Sequence, residues 1–183
     1  MHIQIPTESL RTGLGKILSV IDRKNTKPIL TYCLIKAQDS SLHLSATDTE
    51  VSAKVIIPSK ILKSGTICVN ARNLFEILKE LPNNSLELVH TSNETSLKLF
   101  CEEIHFSLLT YNAEDFPSLV FTNEENKFEI KIGDLINLID KTHHAISHDE
   151  TRLYLNGIFL QEFDSKLRAV ATDGHRLSLM DAQ

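Results

Sequence analysis

Asp173 and His175 flank Gly174 in the stretch "AVATDGHRLSL", residues 169 to 179. A carboxylate and an imidazole two residues apart could work as an acid/base pair. The same three residues could instead form a tight turn between two strands. A second group, His143, His144 and His148, includes two imidazoles four apart, a spacing that suits two metal ligands on one helix face. The helix carrying them ends near Ile146 and Ser147, and no carboxylate is spaced to complete the site, so these histidines read as solvated surface and no metal is expected. Cys33, Cys68 and Cys101 are odd in number, far apart and set in apolar runs. They fit buried free thiols in a reducing compartment. A glycine-rich phosphate cradle, a nucleophile elbow and a paired-carboxylate motif are all missing, so a hydrolase or metal enzyme is the weaker reading and no cofactor is expected.

The elements around these residues come from a duplication. The "ATD" of residues 46–48 recurs at 171–173, and the same offset of 125 pairs Ile5 with Ile130, Leu10 with Leu135, Lys16 with Lys141, Ile21 with Ile146, Thr26 with Thr151 and Leu30 with Leu155. It also pairs Asp39, Ser40 and Leu42 with Asp164, Ser165 and Leu167, making 12 identities in the 52 pairs from 3 to 54, against roughly three expected from composition. Each copy opens with a strand, "HIQI" in the first and "KFEIKI" in the second. A helix follows, Ser9 to Asp22 with its stripe of Leu10, Leu14, Ile17, Leu18 and Ile21, and Asp134 to Ile146 in the second copy. Three strands come next: "ILTYCLIKA", "LHLSA" and "VSAKVII" in the first copy, "LYLNGIFLQ", "KLRAVA" and "HRLSLM" in the second. Inside the first copy lies another such unit: strand "TICV", a helix capped by Asn70 that carries Leu74, Ile77, Leu78 and Leu81, then "LELVH", "SLKLF" and "IHFSLLT". The acidic segment "YNAEDFPSLVFTNEEN" reads as a linker. The expected organisation is α+β, with repeated β-α-β-β-β units in antiparallel sheets: a whole domain at 1–122 and part of a second at 123–183.

The repeat decides the opening question. Thr47-Asp48-Thr49-Glu50 holds the corner equivalent to Thr172-Asp173-Gly174-His175, without a histidine. An acid/base site does not predict an aspartate kept where its partner is missing. The stretch is a turn, and Asp-Gly points to a type I′ hairpin with φ above zero at both residues. Past Asp173 the apolar alternation falls one step out, Leu177 and Leu179 against Val51 and Ala53, and this predicts a different turn at the second corner.

The chain carries a net charge of −5, with 42% hydrophobic residues and 6% aromatics. That balance suggests an aliphatic core and no overall attraction to nucleic acid, although binding depends on where charges sit. The start "MHIQIPTES" has no leader pattern and no apolar run approaches 18 residues, so a soluble, cytoplasmic protein with no membrane partner is expected.

"ATDGHRLSL", preceded by "RLYLNGIFL" and by "DFP" at 115–117 and "KPIL" at 27–30, closely resembles the bacterial DNA polymerase III β subunits, the sliding clamps. The resemblance runs the whole length of the chain. It implies the clamp fold, with sheets outside and helices lining an inner face. It also implies a non-catalytic processivity factor, two protomers of which close head-to-tail into a ring around duplex DNA. The chain would hold the first clamp domain and about half of the second. A ring stays on DNA by topology, so it needs a basic lining that meets phosphates without reading bases. Arg11, Lys16, Arg72, Lys79, Lys141 and His144 on the helices, with Arg23, Lys24 and Lys27 in "RKNTK", are the candidate cations. The resemblance implicates Lys24, His148, Asp149 and Tyr154 in DNA contact. It places a pocket for partner peptides, from the polymerase III alpha and clamp-loader subunits, at Arg152, Leu155, Thr172, Gly174, His175, Arg176 and Leu177. Leu155 and Leu177 would form its apolar floor. Phe106 and Leu108, on an apolar strand expected at an open edge, match the family's dimer interface, where Glu103 and His105 replace expected cations.

Overall fold

Alternation of apolar and polar residues builds β1 (His2–Pro6), with Ile3 and Ile5 buried and their neighbours turned outward. The computed structural model describes residues 1–21, 27–91, 94–119 and 129–182. It divides into two compact units, Met1–Phe121 and Thr122–Gln183. After β1 comes α1 (Thr7–Ile17), which buries Leu10, Gly13, Leu14 and Ile17, the stripe of a helix with one face on a core. Its first turn has no side-chain cap. Instead the Thr7 backbone N–H and hydroxyl both donate to the Asn84 carbonyl at 2.9 Å. The chain continues through two 3-10 turns, Leu18–Val20 and Pro28–Thr31, into β2 (Tyr32–Gln38), β3 (Ser41–Thr47) and β4 (Ser52–Pro58).

The second module of this unit consists of β5 (Lys60–Lys63), β6 (Gly65–Asn70), α2 (Ala71–Glu80), β7 (Ser85–Val89), β8 (Ser96–Cys101) and β9 (Ile104–Tyr111). Asn70 caps α2 as its sequence predicts, Oδ1 accepting from the Asn73 N–H at 3.0 Å. The nine strands form one sheet in the order β4-β3-β2-β6-β9-β8-β7-β1-β5. The two modules are reciprocal within it. β1 of the first lies antiparallel to β7 of the second, Ile3 opposite Leu88, and β6 of the second lies antiparallel to β2 of the first, Cys68 opposite Leu34. Each module therefore pairs the strand before its helix with the strand after the other's helix. Leu10, Leu14, Ile35 and Leu42 of one module and Leu74, Leu78, Leu86 and Leu88 of the other share a single aliphatic core. α1 and α2 meet at Gly15, where an added Cβ would stand 3.5 Å from the Phe75 ring.

The second unit contains α3 (Ile132–Thr142), a 3-10 turn at Leu153–Leu155, and the sheet β10 (Phe159–Phe163), β11 (Lys166–Thr172) and β12 (Leu177–Ala182), in that order. The offset of 125 persists in three dimensions. The turn at Leu153–Leu155 falls on the same repeat positions as that at Pro28–Thr31.

Several expectations need correction. The strands expected from Ile29 and from Leu153 both begin later, at Tyr32 and Phe159, because the intervening residues close 3-10 turns: the Leu30 N–H donates to the Lys27 carbonyl and the Leu155 N–H to that of Arg152. β5 carries too little alternation to be read from sequence and exists because β1 offers it an edge. The strand "KFEIKI" does not form in its described part: residues 129–131 are irregular and Ile132 already belongs to α3. The equivalent β1 is held by β5 and β7.

Candidate functional site

The corner at residues 172–177 is a hydrogen-bonded turn built around an aspartate. Asp173 Oδ1 accepts from the backbone N–H groups of His175 and Arg176, both at 2.9 Å, and Oδ2 accepts from Arg176 Nε at 3.0 Å. The Thr172 hydroxyl donates to the Arg176 carbonyl at 2.7 Å and accepts from the Gly174 N–H at 3.1 Å. The corner at 47–52 repeats this wiring. Asp48 Oδ1 accepts from the N–H groups of Glu50 and Val51, the Thr47 hydroxyl donates to the Val51 carbonyl at 2.8 Å, and the Thr49 N–H donates back to it at 3.0 Å. The carboxylate is committed to two backbone N–H groups and the Arg176 guanidinium, so Asp173 is a structural acceptor.

Two expectations about this corner are overturned. It is not a type I′ turn, which needs two positive φ angles: here only Gly174 is left-handed, at φ 89°. The type I′ pair lies instead at Asp164 and Ser165, φ 52° and 57°, between β10 and β11. Nor is the second corner a different turn. Thr172 pairs with Leu177 as Thr47 pairs with Ser52, so the backbone register continues unbroken. The apolar alternation slips because Leu177 and Leu179 point outward, Leu177 being 64% exposed.

The repeat also locates strain. Thr49, at φ 87°, takes the conformation that Gly174 supplies without a side chain. Thr49→Gly is expected to raise the stability of the first unit by about 1 kcal/mol, and Gly174→Ala to destabilise the second, since its Cβ would also meet Arg152 Nη1 at 3.1 Å. Thermal melts of the two variants check both signs.

Backbone N–H donors, with help from Arg176, hold the Asp173 carboxyl down at about 2. The Thr151 hydroxyl and N–H, then Arg152, hold Asp149 at about 2 as well. Both values lie below the unfolded carboxylate range near 4. The stabilisation they give is therefore fully present above about pH 4 and is lost as pH falls through about 2. Melting of the second unit is expected to drop across that interval, and Asp173→Asn should flatten the dependence.

The corner is joined by a second segment. Arg152 lies against Gly174, with its Nε donating to Asp149 Oδ2 at 2.8 Å, and the Ser147 N–H closes the segment onto the Leu155 carbonyl at 3.1 Å. Leu155 is half-buried and Leu177 exposed, so neither is ordinary core. Arg152, Thr172 and Gly174 thus share one surface that includes exposed His175 and Arg176. Sequence reasoning missed the threonine hydroxyls that tie each corner. The recurrence of Thr47-Asp48 as Thr172-Asp173 was the available signal.

The cations sort differently. Arg23 and Lys24 lie outside the described residues. Lys27, Lys16 and Lys141 are exposed, and the Lys141 carbonyl accepts from Ser178 Oγ at 2.6 Å, tying α3 to β12. Lys79 pairs with Glu76 at 2.8 Å, and Arg11 is bound to Glu8 and, at 3.2 Å, to Asn83. Arg72 is half-buried, and its Nη2 donates to the Ile21 carbonyl at 3.0 Å. α1, α2 and α3 contain five cations (Arg11, Lys16, Arg72, Lys79, Lys141) against five carboxylates (Glu8, Glu76, Glu80, Asp134, Asp140). "RKNTK" adds three cations, and Arg72 is bonded to Ile21, two residues before that stretch. His148 is exposed and Tyr154 is 81% exposed.

β9 is not an outer strand. It runs between β8 and β6, but β6 pairs only with Thr110 and Tyr111, so Ile104–Leu109 keeps one open edge in an otherwise interior strand. Phe106 is partly exposed there, while Leu108 packs on the core. His143 and His144 stand edge to face at the end of α3, and among the described residues no three His, Cys, Asp or Glu side chains gather to hold a metal. Burial pushes the Cys33 and Cys68 thiols up to about 12, and both are free. Among the described residues no helix is long and apolar enough to cross a membrane.

Residues 1–120 match the family described as DNA polymerase III beta subunit, N-terminal domain, and residues 129–183 match the central domain of the same subunit. The beta sliding clamp of Caulobacter vibrioides is 35% identical over 192 residues, an alignment covering 99% of this chain and 50% of that protein. The crystal structure of the sliding clamp from Caulobacter crescentus is similar at TM-score 0.93 and 36% identity, covering all of this chain and 50% of that one. The Bartonella birtlesii sliding clamp, solved bound to griselimycin, is similar at TM-score 0.92 and 35% identity, with the same coverage. The chain spans about half the length of these relatives.

Proposed function

Because the chain belongs to the DNA polymerase III beta subunit family, we propose that it forms part of a DNA sliding clamp. The clamp is a non-catalytic, cytoplasmic ring of two protomers head to tail, which encloses duplex DNA and tethers the polymerase III alpha subunit and the clamp loader by their clamp-binding peptides. In this reading residues 1–122 are the first clamp domain and 123–183 the first half of the second. The observation that carries the proposal is the family match along nearly the whole chain, with both domain matches in the family's order.

The charge pattern supports it. A molecule retained on DNA by enclosure gains nothing from tight phosphate binding, and neutral helices with a short cationic loop suit loose, sequence-independent contact. Arg23, Lys24 and Lys27 would meet phosphates, with Lys141, His148 and Tyr154 contributing from the second unit. Arg72 would act through the Ile21 carbonyl that it holds ahead of that stretch. The surface of Arg152, Leu155, Thr172, Gly174, His175, Arg176 and Leu177 would receive partner peptides, the exposed leucine taking an apolar side chain and the arginines and histidine forming a polar rim. Phe106 and Leu108, beside the open half-edge of β9, would meet the second protomer.

The test is Lys24→Ala in the ring formed by the full-length gene product, with affinity for duplex DNA measured across salt concentrations. Affinity should fall for every sequence alike, and the salt slope should shrink by about 1 for each phosphate the lysine no longer neutralises. An unchanged affinity and slope would refute the DNA role of this loop.

A further inference from the structure

We propose that the face of β2, β3 and β4 turned away from the core binds a phosphate-class oxyanion, held by Lys36, His43 and Lys54 beside the Ser45 hydroxyl. The site lies within the first unit, and the proposal is independent of any DNA role.

Strand register brings these side chains together. β2 sets Lys36 opposite His43 and Leu34 opposite Ser45, and β4 sets Lys54 opposite Ser45. Residues directly paired, or two apart on one strand, share a sheet face. The four polar side chains therefore stand opposite Ile35, Leu42 and Leu44, which are fully buried in the core. Lys54 alone would be ordinary, since edge strands commonly carry lysine. Lys36 and His43 lie on interior strands, where like charges directly opposed are destabilising. Burial, then Lys54 and Lys36, holds the His43 imidazole below its usual value, with Asp39 acting the other way. His43 thus feels both lysines, and one bound dianion would relieve all three groups.

The surface there is concave. Residues 116–119 wall it, leaving a cavity of about 360 Å³ lined by the four polar residues, Leu34 and Pro117 among others. Ser45 is only 6% exposed, yet among the described residues its hydroxyl has no hydrogen-bond partner. A nearly buried hydroxyl left unpaired is costly, and it offers a donor to a ligand. Ser41 Oγ stands 2.9 Å from His43 Nε2 and steadies the ring. Three cationic donors and a hydroxyl match a tetrahedral dianion, whose oxygens outnumber those of a carboxylate. The cavity also leaves room for the body of a phosphate monoester against Leu34 and Pro117.

The test follows the His43 ring-proton NMR signal in the 183-residue chain, assigned by its loss in His43→Gln. Inorganic phosphate and phenyl phosphate are added at millimolar concentrations, with sodium chloride of matched ionic strength as reference. A saturable shift is expected with phosphate and not with chloride, and bound anion should move the His43 titration upward. Lys36→Gln and Lys54→Gln, both at exposed positions, should each weaken binding about threefold or more. Tighter binding of phenyl phosphate would identify a monoester as the ligand, and equal binding the free anion. The absence of a saturable shift in the unaltered chain would overturn the proposal. So would a shift that chloride reproduces, or one that both lysine variants leave intact.

Discussion

Leu14→Ala is expected to lower the stability of the first unit by about 3 kcal/mol or more, whereas Ile139→Ala, at the same repeat position, should cost the second unit under about 1 kcal/mol. The two side chains have almost the same volume and helical setting. Leu14 is fully enclosed between the two modules of the first unit, so truncation leaves a cavity that its neighbours, including Leu74 and Leu78, cannot fill without moving. Ile139 is 43% exposed, and water already reaches the space its methyl groups would leave. Urea unfolding followed by circular dichroism, with hydrogen exchange to assign each transition to its unit, checks the contrast. Equal losses would mean that Ile139 is enclosed as completely as Leu14.

Arg72→Ala should cost the first unit about 2 kcal/mol, because a hydrogen bond from a charged donor to the Ile21 carbonyl is removed. Arg72→Lys should recover little of this, since an ammonium does not reproduce the reach and planarity of the guanidinium fork. The comparison separates two roles. If Arg72 were chiefly a phosphate ligand, lysine would preserve both DNA affinity and stability. If it acts through the Ile21 carbonyl that it holds ahead of "RKNTK", lysine and alanine should impair DNA affinity alike and loosen the exchange protection of residues just before that stretch. Stability and salt-dependent DNA affinity, measured on the same three proteins, distinguish these outcomes.

Where side chains alternate along the chain, or recur every three or four residues, local pattern was enough to read the structure. α2, β3, β8 and the Asn70 cap fall where apolar spacing and capping chemistry put them, because both depend on neighbours within a few residues, whereas α1, expected from Ser9 to Asp22, spans Thr7–Ile17 and gives way to a 3-10 turn at Leu18–Val20. The repeat was equally legible, and it correctly made Asp173 a turn residue. It carried more than was taken from it: the unbroken register at Leu177 and the paired 3-10 turns were implied by the offset, but apolar pattern pointed the other way. What pattern could not supply was pairing. β5 exists because β1 has a free side, and the described part of "KFEIKI" runs into α3 at Ile132 instead of forming a strand.

The candidate surfaces divide in the same way. Residue spacing was sufficient for the two-module grammar and for a turn at each corner, and the resemblance of its motifs pointed to the family, since all three are written along the chain. Folding settled that Arg72 is tied to a backbone carbonyl, that Arg152 stands against Gly174, that β9 is open along half its edge, and that Leu14 is enclosed while Ile139 is not. Each of these depends on groups distant in sequence being brought within a few ångströms. Burial and hydrogen bonding are properties of that proximity, which no single stretch of chain possesses alone.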